Sequence, residues 1–337
     1  MTKRSMITGI CLLAFGLQGL ADEVPVQTLA PSEMNSSKAL PSLEQSKARK
    51  VAFDLSAGLS YWEGDTTYSV GGKATSGGET VYVDDPVSEL KFPLGVSAAS
   101  VDGAITFGQR LELYGGMEMA VSDPGGEVED SDWKEGVKVE YAEWDCELSG
   151  WSGDGGLRWW FTSKTCEKSG ITFGLAPTVG YTKQSRDWDV KNPGVWSSSD
   201  PNEAQGVVGE NVSTYDYDMD MLYAGAKASV QHRRFALSAF AGASAWLNMQ
   251  STYKHIFRSK LSTTDYDGNA WFAEGEGRFY FTPSVFLLGR IHYLYAKADG
   301  TEQQSISGGE YAGWAGEIDG DIVSKQFTGT LGVGCTF

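Results

Sequence analysis

The chain has 337 residues, a formal net charge of −17 and 42 glycines, and aromatic residues make up 12% of it. This acidity argues against nucleic acid as a partner, because a phosphate backbone is bound by basic surfaces. After the first 21 residues no stretch approaches the roughly 20 apolar residues of a transmembrane helix, whereas abundant glycine and aromatic residues are typical of transmembrane β-barrels.

The amino terminus carries the pattern of a secreted protein. Lys3 and Arg4 precede a short apolar run, and small residues lie just before Asp22. We therefore predict a signal peptide over residues 1–21. Residues 22–50 are rich in Pro, Ser, Glu and Gln without a period of 2 or 3.6, which predicts a disordered periplasmic leader.

From Val51 onward the chain alternates between two-residue periodicity and turn signals, which predicts one all-β domain over residues 51–337. The closing segment, from Phe327 to Phe337, places apolar side chains or glycine at every odd position, as one lipid-facing strand would. About ten strands are predicted, over residues 51–62, 87–107, 109–121, 139–151, 171–184, 216–231, 235–249, 270–281, 285–297 and 326–337.

These strands predict a transmembrane antiparallel up-and-down β-barrel in the outer membrane. An even strand number places both termini on one side, which we expect to be the periplasm, with long polar loops outside the cell. The predicted long loops are residues 63–86, 122–138, 185–215, 250–269 and 298–325.

A barrel of about ten strands is narrow, so its inward side chains should fill it. The side chains assigned to the interior are strongly ionic, and buried charges persist only when they are paired. We predict a lumen plugged by salt bridges rather than a wide pore. The inward assignments are Glu89, Lys91, Arg110, Glu112, Glu118, Asp145, Glu147, Asp218, Asp220, Lys227, Glu274, Glu276, Arg278, Arg290 and His292.

Two segments give the chain a family resemblance. Residues 125–133, with Asp130 and Asp132, follow the third predicted strand, and residues 254–260 lie in a later loop between two strands. A Tyr-x-Thr-Pro turn at residues 280–283 and the closing strand complete the order. Over residues 51–337 the chain resembles the omptins, outer-membrane endoproteases with a catalytic groove among their extracellular loops.

The resemblance implies an aspartic-type endopeptidase acting on peptides or proteins, and it also implies dependence on lipopolysaccharide. Asp130 and Asp132 match the aspartate pair that polarises a water, and His255 matches the general base. Tyr253 stands where an omptin has the acidic partner of the histidine, so we expect its hydroxyl to orient His255. Ser251 replaces the acid that selects basic substrates. No cofactor is implied, and the sequence has no His/Cys cluster with metal-ligand spacing.

Several alternatives stay open. Asp187 and Asp189 have the same spacing and precede an Asn-Pro-Gly-Val-Trp segment at residues 192–196, so they rival the first aspartate pair. Asp265 or Asp267 could replace the missing carboxylate. The barrel could also have lost catalysis and serve as a surface-binding or structural protein, or as a narrow channel.

Cysteine usage adds one further expectation. Cys146 and Cys166 flank a predicted periplasmic hairpin. Because the periplasm is oxidising, a disulfide between them is a reasonable hypothesis.

Overall fold

The computed structural model describes residues 51–108, 110–122, 126–166, 169–191, 209–309 and 311–337. The predicted signal peptide and leader, and residues 192–196, lie outside these ranges. Over the described ranges no helix is long and apolar enough to cross a bilayer. The residues form one sheet of 13 antiparallel strands.

The strands are β1 Val51–Ser76, β2 Glu79–Pro93, β3 Val96–Phe107, β4 Leu111–Ala120, β5 Glu127–Lys134, β6 Val137–Trp159, β7 Thr162–Cys166, β8 Ile171–Lys191, β9 Asn211–His232, β10 Phe235–His255, β11 Lys260–Tyr280, β12 Val285–Ile306 and β13 Ala315–Thr336.

Ten of these strands close a ring in the order β1, β3, β4, β6, β8, β9, β10, β11, β12, β13. Strands β2 and β5 continue β3 and β4 beyond the ring, and β7 lies beside the start of β8. The predicted barrel of about ten antiparallel strands is therefore confirmed.

The closing strand joins the first one, as the alternation of residues 327–337 predicts. Leu55 is paired with Cys335, and the Phe337 N–H donates to the Phe53 carbonyl at 2.9 Å. We call the end of the barrel that holds Phe337 the lower end. The upper end holds the tips of the β1–β2, β5–β6 and β10–β11 hairpins.

The outer face of the lower half is apolar. Leu59 and Leu331 are about seven-tenths exposed, at 68% and 72%, and face outward on neighbouring strands. Exposed aromatic side chains such as Tyr61, Trp246 and Trp271 mark the top of this band. Such a band with aromatic residues at its edge is the lipid-facing surface of a transmembrane barrel.

Above the band the apolar residues change sides. On β9, Tyr215, Tyr217 and Met219 are buried in the barrel, while Asp216 and Asp218 face outward. The prediction that Asp218 and Asp220 point inward is wrong, and Glu89, Lys91, Asp145 and Glu147 also lie on the outward face. The cause is that an element above the lipid buries its apolar side chains in its own core, as a soluble protein does.

Most of the predicted long loops are strand. Residues 63–86 form the upper parts of β1 and β2, joined by a turn at Gly77 and Gly78, where φ is +59° and +85°. Residues 250–269 likewise belong to β10 and β11 apart from a four-residue turn. The barrel therefore rises well above its lipid-facing band.

The lower interior is a network of ion pairs, as predicted. The Arg290 guanidinium lies 2.8 Å from Asp102 and 3.3 Å from Glu276, and Arg278 lies 2.8 Å from Glu276 and 3.4 Å from Asp54. A polar cavity of about 240 Å³ remains among these side chains. Paired charges of this kind occupy the lower lumen around this cavity.

The upper interior is aromatic instead. The rings of Phe92 and Tyr215 stack with centroids 4.4 Å apart and planes 12° apart, and Trp188 packs against both. All three side chains are at most 1% exposed. This aromatic core separates the lower cavity from the upper end.

The predicted disulfide is wrong. Cys146 is paired with Val190 near the top of β8, whereas Cys166 is paired with Ile171 at its lower end. At about 3.3 Å per residue these positions are roughly 60 Å apart along β8, far beyond the reach of a disulfide of about 7 Å. The buried Cys146 thiol instead donates to the Gly126 carbonyl at 3.6 Å.

Candidate functional site

A cavity of about 60 Å³ opens at the upper end of the barrel, and all four residues that the family resemblance selects line it. Its walls come from β1, β2 and β5 on one side and from the β10–β11 hairpin on the other. The lining residues are Tyr68, Val70, Ser88, Leu90, Asp130, Asp132, Tyr253, His255, Arg258 and Lys260.

The acidic wall is built by β5. Asp130 is paired with Leu90 of β2, and Asp132 is paired with Ser88. Because side chains two residues apart on a strand point the same way, both carboxylates face the cavity. The β5–β6 hairpin closes through Glu135 and Gly136, both at positive φ, which suits a tight two-residue turn.

These two carboxylates are electrostatically coupled. Burial and, after it, the neighbouring charge of Asp132 raise the pKa of Asp130 to about 7, against the opposing effect of Arg258 and Lys260. Like charges this close do not both ionise cheaply. Asp130 therefore exchanges a proton near neutral pH, as a general acid or base must.

The basic wall is the tip of the β10–β11 hairpin. His255 ends β10 and is paired with Lys260, which begins β11. The turn between them contains Ser259 at φ +48°. The Arg258 backbone N–H donates to His255 Nδ1 at 3.3 Å. Since Nδ1 accepts this bond, the neutral imidazole carries its proton on Nε2.

Tyr253 contacts His255 through its ring. The two ring centroids are 6.3 Å apart and the planes are perpendicular, at 90°. The Tyr253 hydroxyl is turned toward Ser213 of β9, and burial raises its pKa above the ordinary value. The ring of Tyr253 thus lies next to His255, at the position where the resembled family has a carboxylate.

Two charged residues of the cavity were not predicted from the sequence. Arg258 and Lys260 bring positive charge to the wall that faces Asp130 and Asp132. Burial lowers the pKa of Lys260, while Glu302, Asp132 and Asp130 act in the opposite direction. The hairpin register, which pairs residues 255 and 260 across a four-residue turn, was the signal that could have identified Lys260.

The alternative acidic residues do not reach this cavity. Asp187 and Asp189 alternate with Trp188 and Val190, which are buried in the barrel, so their side chains lie on the outward face. Asp265 and Asp267 are exposed on the outer face of β11 and cannot partner His255.

Ser251, at the position where the resembled family has an acid that selects basic substrates, does not line the cavity either. Ser251 is only 6% exposed and lies below the cavity, beside the aromatic core. Within the described ranges no group of three His, Cys, Asp or Glu side chains is arranged to hold a metal.

Comparison with known proteins supports the fold. No family model and no curated protein matches the chain. Among solved structures it is similar to the outer membrane protease OmpT from Escherichia coli, with a TM-score of 0.64 at 16% identity over 85% of this chain and 97% of that one.

Weaker similarities link the chain to other barrels. The translocator domain of the autotransporter NalP from Neisseria meningitidis gives a TM-score of 0.37 at 10% identity, covering 88% of this chain and 92% of that one. OprG from Pseudomonas aeruginosa gives 0.35 at 10% identity, covering 85% and 95%. The fold of an outer-membrane β-barrel rests on the similarity to OmpT and on the ring of ten strands.

Proposed function

We propose that the chain is an outer-membrane endopeptidase of the aspartic type, with the cavity facing the cell exterior and both termini in the periplasm. One observation carries the proposal: Asp130 and Asp132 on one wall and His255 on the other line a single cavity at the upper end. Fold alone does not establish an activity, because function depends on the residues of the site.

The aspartate pair is suited to activate a water. With a pKa of about 7, Asp130 is partly ionised at neutral pH and can accept a proton from a water held in the cavity. The water oxygen attacks the peptide carbonyl carbon, and the proton moves to the aspartate pair. The pair then returns a proton to the amide nitrogen as the carbon–nitrogen bond breaks, so the amine leaves and the site is restored after each turnover.

His255 acts opposite this pair. The family resemblance assigns the base to His255, but Nδ1 accepts the Arg258 N–H, which leaves the ring proton on Nε2. A donor in this position stabilises the negative charge that develops on the carbonyl oxygen. We therefore assign proton acceptance to the aspartate pair and hydrogen-bond donation to His255.

The substrate class follows from the walls of the cavity. Ser251 leaves no acid below the site to bind a basic side chain, and Arg258 and Lys260 add positive charge. Preference for basic residues at the cleaved bond should be weak. Lipopolysaccharide is the expected partner of the lipid-facing surface, in line with the omptin resemblance.

Cleavage of a mixed peptide library tests the proposal. The chain is refolded with lipopolysaccharide, and cleavage by wild type is compared with that by Asp130→Asn and His255→Ala. Cleavage that either substitution removes supports the assignment, and a correctly folded barrel that cleaves nothing rejects it. The matched control is Asp187→Asn, which changes an outward-facing aspartate of the same D-x-D spacing.

A second candidate is a barrel that kept the fold and lost catalysis. Its support is the sequence of β10, which has Tyr253 and Ser251 at the positions of two carboxylates in the omptins. In this case the chain would act as a surface-binding or structural protein. Failure of wild type to cleave the library, with the barrel correctly folded, is the result that favours it.

A narrow channel is the least supported candidate, because the aromatic core around Phe92, Tyr215 and Trp188 fills the upper interior. Planar bilayers containing the refolded barrel should show no stepwise conductance. Regular single-channel steps in wild type would restore this candidate.

A further inference from the structure

A buried carboxylate lies behind the basic wall of the cavity. Glu302 of β12 points into the barrel and is 0% exposed. One of its oxygens accepts a hydrogen bond from the Tyr68 hydroxyl, and the other accepts from Gln304 Nε2 at 2.6 Å. Two donors on two oxygens are the partners that an ionised carboxylate requires when it is removed from water.

Tyr68 connects this carboxylate to the cavity. Its ring lines the cavity and packs against Tyr253, with centroids 6.4 Å apart and planes at 32°. Tyr253 in turn meets His255 edge to face. A continuous series of contacts therefore runs from Glu302 to His255 through two aromatic rings.

The charge of Glu302 links it to the basic wall a second time, through Lys260. Lys260 is a cavity residue, and burial lowers its pKa. Of the carboxylates that oppose this effect, Glu302 acts more strongly than Asp132 and Asp130. Glu302 thus provides the main compensating negative charge for the basic wall from inside the barrel.

We propose that Glu302 is a positioning residue of the site: it supplies the negative charge that the basic wall lacks at position 253 and fixes Tyr68 against Tyr253. Its catalytic meaning depends on the proposed peptidase function. The electrostatic role does not, because it concerns the state of His255 whether or not peptides are cleaved.

The surroundings of His255 make the effect measurable. Charged and titratable groups reach this region from several strands: Asp130 and Asp132 from β5, Arg258 and Lys260 from the β10–β11 hairpin, Tyr253 from β10, Tyr68 from β1 and Glu302 from β12. Replacing the Glu302 carboxylate by an amide removes one negative charge without changing the shape of the side chain. The imidazolium form of His255 then loses part of its stabilisation, and its pKa falls.

Histidine NMR of the full chain in nanodiscs tests the role of Glu302. The sequence has only His232, His255 and His292, so Gln substitutions at positions 232 and 292 assign the remaining signal. The titration of His255 is compared among wild type, Glu302→Gln and Tyr68→Phe. The Phe variant loses the hydrogen bond to Glu302 and keeps the carboxylate. Folding of each variant is checked by heat-dependent gel mobility.

We expect Glu302→Gln to lower the pKa of His255 by about half a unit to one unit, and Tyr68→Phe to lower it less. An unchanged His255 titration in folded Glu302→Gln overturns the inference, and so does a Tyr68→Phe variant that reproduces the whole shift. A wild type that cleaves no peptide defeats the proposed function but leaves this titration able to decide the role of Glu302.

Discussion

The rings of Tyr253 and His255 meet edge to face, with centroids 6.3 Å apart and planes at 90°. Tyr253 occupies the position at which the resembled family has a carboxylate. Its ring, rather than its hydroxyl, is the part that contacts the histidine, because the hydroxyl is turned toward Ser213. The sequence predicts that the Tyr253 hydroxyl orients His255, and this geometry does not support that role.

This contact predicts different results for two substitutions at position 253. Tyr253→Phe keeps the ring and should change kcat/KM by less than about threefold, because a neutral hydroxyl directed away from the histidine adds little. Tyr253→Ala removes the packing and should lower the free energy of unfolding by about 2–4 kcal/mol. Peptide cleavage and urea unfolding in lipid measure the two effects. A tenfold loss of activity in the Phe variant would assign a role to the hydroxyl after all.

Asp130 should make the stability of the barrel depend on pH. Its pKa of about 7 lies above the ordinary value of 3.8, so the folded chain binds this proton more tightly than the unfolded chain does. As the pH rises from about 4 to 7, the wild type therefore loses stability relative to Asp130→Asn, which has no proton to release. We expect the difference to grow by about 1–3 kcal/mol over that range.

Urea unfolding of both proteins at pH 4.5 and pH 7.5 measures this difference. Asp189→Asn serves as the control, since Asp189 lies on the outward face and not in the cavity. A stability difference between wild type and Asp130→Asn that is equal at both pH values would show that Asp130 titrates as an ordinary surface carboxylate.

The role of His255 can be separated from that of a base. His255→Ala should lower kcat/KM by about 10²–10³-fold, as loss of a hydrogen-bond donor at a developing oxyanion does. The Gln side chain also donates, so His255→Gln should recover about tenfold of that loss. Steady-state kinetics on one cleaved peptide provide the comparison. Equal activity of the Ala and Gln variants would return the base assignment to His255.

The cysteines give a prediction that is independent of activity. Burial raises the pKa of the Cys146 thiol to about 12, with Asp145 and Glu147 adding to the effect. Cys166 is exposed at the lower end of the barrel. Because the thiolate is the reactive form, a maleimide should label Cys166 in the folded barrel and Cys146 only after unfolding. Mass spectrometry in a Cys335→Ser background tests this, and a mass gain of two hydrogens on reduction would reveal a disulfide.

The sequence predicts the lipid-facing part of the barrel well, because apolar side chains alternate with polar ones there, as in residues 327–337. It does not predict the upper halves of the strands. On β9, Asp216 and Asp218 face outward while Tyr215 and Tyr217 fill the core. A rule that places polar side chains in the lumen fails where the surrounding solvent is water instead of lipid.

The candidate site was likewise predicted only in part from the sequence. Asp130, Asp132 and His255 could be located because the two segments that carry them also carry the resemblance to the omptins. Lys260 enters the cavity through the register of one hairpin, and Glu302 reaches it only because the barrel closes. The positions of these two residues depend on which strands pair and in which register. A single sequence does not determine those pairings.

The most direct test of the account is hydrolysis of a peptide in H₂¹⁸O by wild type, Asp132→Asn and Asp189→Asn. The two substitutions are chemically identical, but only Asp132 lines the cavity. We predict that wild type and Asp189→Asn place one ¹⁸O in the new carboxyl terminus at similar rates, while Asp132→Asn is slower by about 10²–10⁴-fold. Equal rates for the two variants, or no cleavage by a folded wild-type barrel, would contradict the account.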